Sequence, residues 1–114
     1  MRRDEFAMTQ QVLHHCGTYL VRRQRLEPGE ATAWHRDPFH RVTVVLGGHL
    51  LSIEFRDGGE TQQSPVTVGE VDWAEPSDRV HRAVNIGKEV FEGVVTFFLI
   101  HPDDKPQPGE EGHE

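Results

Sequence analysis

The chain has 114 residues, 35 % of them hydrophobic, and a formal charge of −7 with histidines neutral. That length supports one domain with one modest core, and the acidic balance argues against nucleic acid as a partner. The single cysteine, Cys16, excludes an internal disulfide and a C-x-x-C zinc site, and it reads as a small half-buried apolar residue.

No apolar run approaches membrane-spanning length, and the opening MRRDEFAMTQ lacks the apolar stretch of a signal peptide. The expectation is a cytoplasmic protein with no membrane partner. Residues 1–16 read as an N-terminal arm, loose or briefly helical over the first ten. Val12-Leu13 and then Gly17–Glu27 look like the first strands, although Tyr19 and Val21 alternate with Leu20 and Arg22, so neither face is cleanly apolar. Pro28-Gly29-Glu30 is a turn, because proline presets φ and glycine tolerates positive φ. Ala31–His40 reads as irregular or extended.

Val42–Leu46 is short and β-branched, as a buried strand is. Gly47-Gly48 turns the chain into a hairpin partner, Leu50–Arg56, with Leu51, Ile53 and Phe55 on one face. After Asp57-Gly58-Gly59, a short strand is expected at Val66 and Val68, then two more at Val71–Ala74 and Arg79–Ile86. Val90–Ile100 is the longest apolar run, too β-branched and aromatic for a helix. Residues 102–114 carry five acids against Lys105 and three prolines, and read as a disordered acidic tail. Many short strands with turn signals between them predict an all-β fold, a small antiparallel barrel or jelly roll over 17–101.

Eight histidines is a high count for this length. His14 and His15 are adjacent, so as strand residues they point to opposite faces. His101 and His113 fall at the end of the last strand and in the tail, where solvation is the plainer reading. Of the others, His35, His40 and His81 are the candidates. His81 shares a face with Ala83 and Asn85, opposite Val80, Val84 and Ile86. If the apolar face is the core, His81 faces water; if not, it can meet His35 from another strand. A metal site needs neutral imidazoles on rigid strands and a further donor, and Asp37 and His40 are both candidates. Trp34 and Trp73 are candidate pocket walls, and Glu75 a candidate general acid or base.

The chain resembles the cupin superfamily, in particular its small single-domain bacterial members. The first cupin motif, G-x5-H-x-H-x3,4-E-x6-G, aligns with Gly29, His35 and Gly48, with Asp37 at the second histidine position and Arg41 at the glutamate. The second, G-x5-P-x-G-x2-H-x3-N, aligns with Gly69, one extra residue, then Pro76, Asp78 for glycine, His81 and Asn85. The tract HRDPFHRVTVVLGGHL also resembles a group of short bacterial cupins in which arginine at the glutamate position is usual.

The resemblance implies a cupin barrel, a homodimer and an inward-facing His81. It also implies a divalent metal (Fe, Mn, Ni or Zn) on His35, His81 and Asp37, with small-molecule dioxygenase, isomerase or lyase activity. Arg41 would repel the cation, pair with Asp37, or hold an anionic ligand. His40, beside Arg41, would face away as an outside or interface residue. Two other readings remain open: a metal-free binder or sensor in which Arg41 and His81 hold a carboxylate, and a structural or accessory dimer with a filled barrel.

Overall fold

The computed structural model describes residues 8–100, so His101, His113 and the acidic tail lie outside the described residues. Among the described residues, nine strands form two antiparallel sheets. The first five-stranded sheet runs β1 (Thr9–His15), β2 (Tyr19–Leu26), β9 (Phe91–Phe98), β4 (His40–Gly47), β7 (Val71–Ala74). The four-stranded sheet runs β3 (His35–Asp37), β8 (Ser77–Asn85), β5 (Leu50–Phe55), β6 (Gln62–Pro65). Apart from the pairs β1–β2 and β5–β6, sequence neighbours alternate between sheets, as in a jelly roll, and the expected all-β class holds. Among the described residues no helix is long and apolar enough to cross a membrane.

Register sets the interior. In the large sheet Leu26 stands opposite Phe91, Arg22 opposite Val95, and Leu20 opposite Phe97. On the other side of β9, Val95 meets Thr43 and Phe97 meets Arg41. Because side chains alternate along a strand, these rows face one interior in layers. Leu26, Val45, Leu51 and Phe91 form the buried floor. Above it the walls turn polar.

The floor is closed tightly at one corner. Gly48 has φ +125°, and a Cβ there would lie 3.0 Å from the Phe91 Cα and 3.1 Å from its Cδ1. Asn85, 1 % exposed, ties the same end together. Its amide donates to the carbonyls of Leu26 (2.9 Å) and Glu89 (2.8 Å), and its Oδ1 accepts from the Gly87 amide (3.0 Å).

Two sequence expectations change. The short strand expected at Val66 and Val68 is instead β6, Gln62–Pro65, which pairs with Leu50–Ile53. Val66 only packs against the core and Val68 is exposed. An edge strand needs backbone pairing more than an apolar face, and Pro65, with no N–H to give, is tolerated at its end. Likewise β1 pairs with β2 over Thr9–His15, with a register shift after Val12, so residues 9–15 extend the large sheet.

Candidate functional site

A cavity of about 470 Å³ opens between the two sheets, bounded by inward residues of β2, β4, β9, β3, β8 and β5. The barrel is therefore not filled. One wall of the cavity carries His35, Asp37 and His81.

The local chain explains why these three meet. His35 on β3 stands directly opposite His81 on β8, and Asp37 is opposite Ser77 after an irregular step in the ladder. The strand is only three residues long, and its i, i+2 spacing sends His35 and Asp37 to the same face. The two imidazole centroids are 4.6 Å apart. His81 Nε2 lies 2.8 Å from Asp37 Oδ2, and His35 Nε2 lies 3.5 Å from Asp37 Oδ1. One donor atom from each residue falls within 4.8 Å of the others.

Both rings are held by their far nitrogens. His35 Nδ1 is 2.8 Å from the carbonyl of Ala33, and His81 Nδ1 is 2.9 Å from the carbonyl of Arg79. A carbonyl only accepts, so each Nδ1 carries the proton. In the neutral ring each Nε2 is then a lone pair, and both lone pairs face a carboxylate. Three acceptors converging on one point require a cation among them, either a proton or a metal ion. The donor set fits a metal by its chemistry: ligands about 2.0–2.2 Å from one ion stand roughly 3–4 Å from each other, and here the two imidazole nitrogens lie 2.8 and 3.5 Å from the Asp37 oxygens with all donors within 4.8 Å. Backbone carbonyls on the far nitrogens are also how ligating histidines are usually oriented.

Arg41, on β4 of the opposite sheet, reaches across the cavity. Its Nη1 is 3.0 Å from Asp37 Oδ2, and its side chain is 24 % exposed. Burial by itself would raise the Asp37 pKa. The hydrogen bond from His35 and the charges of Arg41, His35 and His81 outweigh it, and the carboxyl lies below its ordinary value. His35 moves the other way. Its hydrogen bond to Asp37 raises its pKa, burial opposes, and the Ala33 carbonyl adds to the rise. The nearer contact to Asp37 is nevertheless His81, which makes the stronger hydrogen bond whenever a proton sits on its Nε2.

The face of β8 is the reverse of what hydrophobicity suggests. His81 and Ala83 line the cavity, while Val80, Val84 and Ile86 point outward and Ile86 is left exposed. The other candidates stand elsewhere. Trp34 does not line the cavity; Arg82 and Arg56 lie over its ring at 4.5 and 6.0 Å. Trp73 stands opposite Val42, on the outer face of the large sheet, with its ring 5.4 Å from His40 and 5.7 Å from Phe98. Glu75 is exposed and is not among the lining residues.

His40 does face away from the cavity, but it is not an outside residue. It is 7 % exposed, with the Trp73 ring 5.4 Å from its own. His40 therefore leaves the choice of third donor to Asp37, the residue that completes the cluster.

Sequence reading missed Arg22, Gln24 and Gln10, which line the cavity on the β2 side. Arg22 Nη1 donates to Gln10 Oε1 at 3.2 Å, Gln24 Nε2 donates to the same oxygen at 3.3 Å, and the Arg22 guanidinium lies 5.5 Å from the Phe97 ring centroid. The strict i, i+2 spacing of Leu20, Arg22, Gln24 and Leu26 was the available signal.

No family model and no characterised protein matches the chain by sequence. Solved structures do match by fold. A cupin domain from Bordetella pertussis Tohama I superposes with a TM-score of 0.73 at 23 % identity, over 86 % of this chain and 97 % of that one. A conserved double-stranded β-helix protein from Klebsiella pneumoniae gives 0.63 at 23 %, over 85 % and 81 %. A Cupin 2 conserved barrel domain protein from Salinispora arenicola gives 0.61 at 18 %, over 84 % and 79 %. The fold is the cupin fold, as expected from the two motifs.

Proposed function

We propose that this is a small-molecule-binding cupin whose cavity holds a divalent cation on His35, Asp37 and His81. The observation that carries the proposal is the convergence of three acceptors, with both imidazole Nδ1 atoms already committed to backbone carbonyls. Two imidazoles and one carboxylate with open positions suit Fe(II), and also Mn(II), Ni(II) or Zn(II). When bound, such an ion supplies Lewis-acid polarisation or oxygen activation, as used in dioxygenase, isomerase and lyase chemistry.

The chain's own residues would do the rest. Asp37 offers the anionic donor, Arg41 fixes its carboxylate, and the apolar floor holds the ligand's body away from water. A general acid or base at Glu75 finds no support in this placement. Metal analysis of untagged protein tests the proposal. Near-stoichiometric metal in the wild type, lost in the His35→Ala/His81→Ala double variant, is the expected result. Metal-free wild type that also refuses added Zn(II) and Mn(II) refutes it.

A metal-free binder is the second reading, favoured by one observation. The Arg41–Asp37 pair already neutralises the carboxylate, and no buried side-chain polar atom among the described residues lacks a partner. An external carboxylate held by Arg41 and His81 would have to displace Asp37 from both. Thermal stabilisation of metal-free protein by small carboxylates, without added metal, would favour this reading.

We also propose a homodimer formed through the outer face of the large sheet. Val44, Leu46, Val71 and Trp73 leave it 36, 45, 65 and 46 % exposed respectively, a contiguous apolar patch that water disfavours. Sedimentation equilibrium of wild type and Trp73→Lys tests this. A monomeric wild type refutes it.

A further inference from the structure

The cavity has a second cationic feature, set apart from the candidate metal cluster. Among the described residues, carboxylates pair with Arg23, Arg25, Arg41, Arg79 and Arg82. Arg22 lines the cavity and pairs with none. Its guanidinium has one neutral acceptor, Gln10 Oε1, and the face of Phe97. Five donors in a planar fork are poorly satisfied by one amide oxygen. The other lining arginines are engaged differently: Arg41 is matched by Asp37, and exposed Arg36 donates its Nε to the carbonyl of Asp78.

Register places Arg22 on a defined level. Leu20, Phe97 and Arg41 form one row, and Arg22, Val95, Thr43 and Asp72 the next. Arg22 thus springs from one layer nearer the floor than Arg41, and two strands away, or roughly 6–7 Å deeper and 9–10 Å across at the backbone. Below it lie Leu26, Val45, Leu51 and Phe91. A charged fork beside an apolar floor recognises a small amphipathic anion. The same wall holds Asp72 and Glu70, which repel a second negative charge on the ligand.

We propose that Arg22 is the anchor for a small organic monocarboxylate whose apolar body occupies the floor of the cavity. This rests on the reading of the cavity as a ligand site, but not on the metal. The carboxylate would accept two parallel N–H bonds from the guanidinium, with the amide of Gln10 or Gln24 beside it. Thus Arg22, and not the Arg41–His81 pair, carries anion recognition.

Hexanoate is the probe, with hexanamide as its neutral counterpart and hexyl phosphate as the dianionic one. Binding is measured by calorimetry on the full chain, with and without chelator. Wild type should bind hexanoate more tightly than either counterpart. Arg22→Gln should weaken hexanoate by about tenfold or more, the scale of one charge-assisted bond, and leave hexanamide unchanged. Arg22→Lys should recover part of the loss, and unchanged hexanamide binding also reports that the cavity is intact.

Hexanoate binding should be the same with and without chelator, which separates this proposal from the metal assignment. Four outcomes overturn it: no hexanoate binding by wild type, equal binding by Arg22→Gln, loss of hexanoate binding on chelation, or tighter binding of hexyl phosphate.

Discussion

If a cation must sit among His35, Asp37 and His81, then metal and proton compete for one place. The structure fixes which protons are at stake. The Nδ1 protons are held on Ala33 and Arg79 carbonyls and need not leave. Asp37 titrates below its ordinary value, so near neutrality it has no proton to release. His35 titrates above its ordinary value of 6.5, so at pH values below 6.5 it brings an Nε2 proton that a metal must expel. One displaced proton makes affinity climb tenfold per pH unit, about 1.4 kcal/mol. The rise should level off once the pH passes the raised His35 value. Zn(II) titrations between about pH 5 and 8, in buffers of unlike ionisation enthalpy, read both the slope and the protons released. A slope near zero across that range, with tight binding, would show that His35 is not a ligand or does not arrive protonated. Either outcome breaks the argument from converging lone pairs.

The metal-free protein should show the same pair through its stability. The raised His35 pKa contributes stability that is full below 6.5 and lost as pH rises through the folded value. The lowered Asp37 pKa contributes stability that is full above 3.8 and lost as pH falls through the folded value. The pair's contribution therefore peaks between these limits, and the difference in thermal midpoint between wild type and Asp37→Asn should be largest there; a pH-independent difference counts against it. Asn85→Ala should cost about 3 kcal/mol in urea denaturation, since three hydrogen bonds, one buried and two part-buried, are lost at about 1 kcal/mol each. Less than 1 kcal/mol would mean water replaces the side chain. Gly48→Ala should cost about 1–3 kcal/mol, because its φ of +125° strains alanine and its Cβ meets Phe91; an unchanged midpoint would contradict that.

How much of this was readable from the chain depended on which signal each residue leaves. His35 and His81 were found by their distances from Gly29, Pro76 and Asn85, because those positions fix where strands start and turn. Hydrophobic alternation alone would have misplaced His81. The apolar side of β8 is its outer face, and a cavity wall need not be apolar when it must bind something. The same inversion hid Arg22 and Gln24. In YLVRRQRL both faces carry charge, so the inward stripe has no contrast. Gln62–Pro65 left no pattern because an edge strand over open surface needs none. Trp34 and Trp73 are candidate pocket walls from the sequence alone. Each is instead drawn to the outside, one under two arginines and one over His40. Arg41 was legible as a departure from the cupin glutamate, but its direction was not. Only the inward row shared with Phe97 and Leu20 settles it.

That direction has a consequence for metal affinity. Arg41 lies 3.0 Å from Asp37 Oδ2, and a bound ion would sit about 2.1 Å from a donor oxygen, so guanidinium and ion stand within roughly 5 Å. A single positive charge at that distance from a divalent ion costs about 1.7 kcal/mol even with water-like screening, and more in a half-buried site. Against this, Arg41 orders the carboxylate that the metal needs. Arg41→Gln separates the two effects, because an amide can still donate to Asp37 while carrying no charge. If repulsion dominates, Zn(II) affinity should rise by about tenfold or more at fixed pH. The same variant removes one cause of the lowered Asp37 pKa, so the gain should shrink towards acid pH, where proton competition for the carboxylate returns. An affinity that falls at neutral pH would mean that holding Asp37 in place outweighs the repulsion. Arg41 would then be a positioning residue of the metal site, and not its opponent.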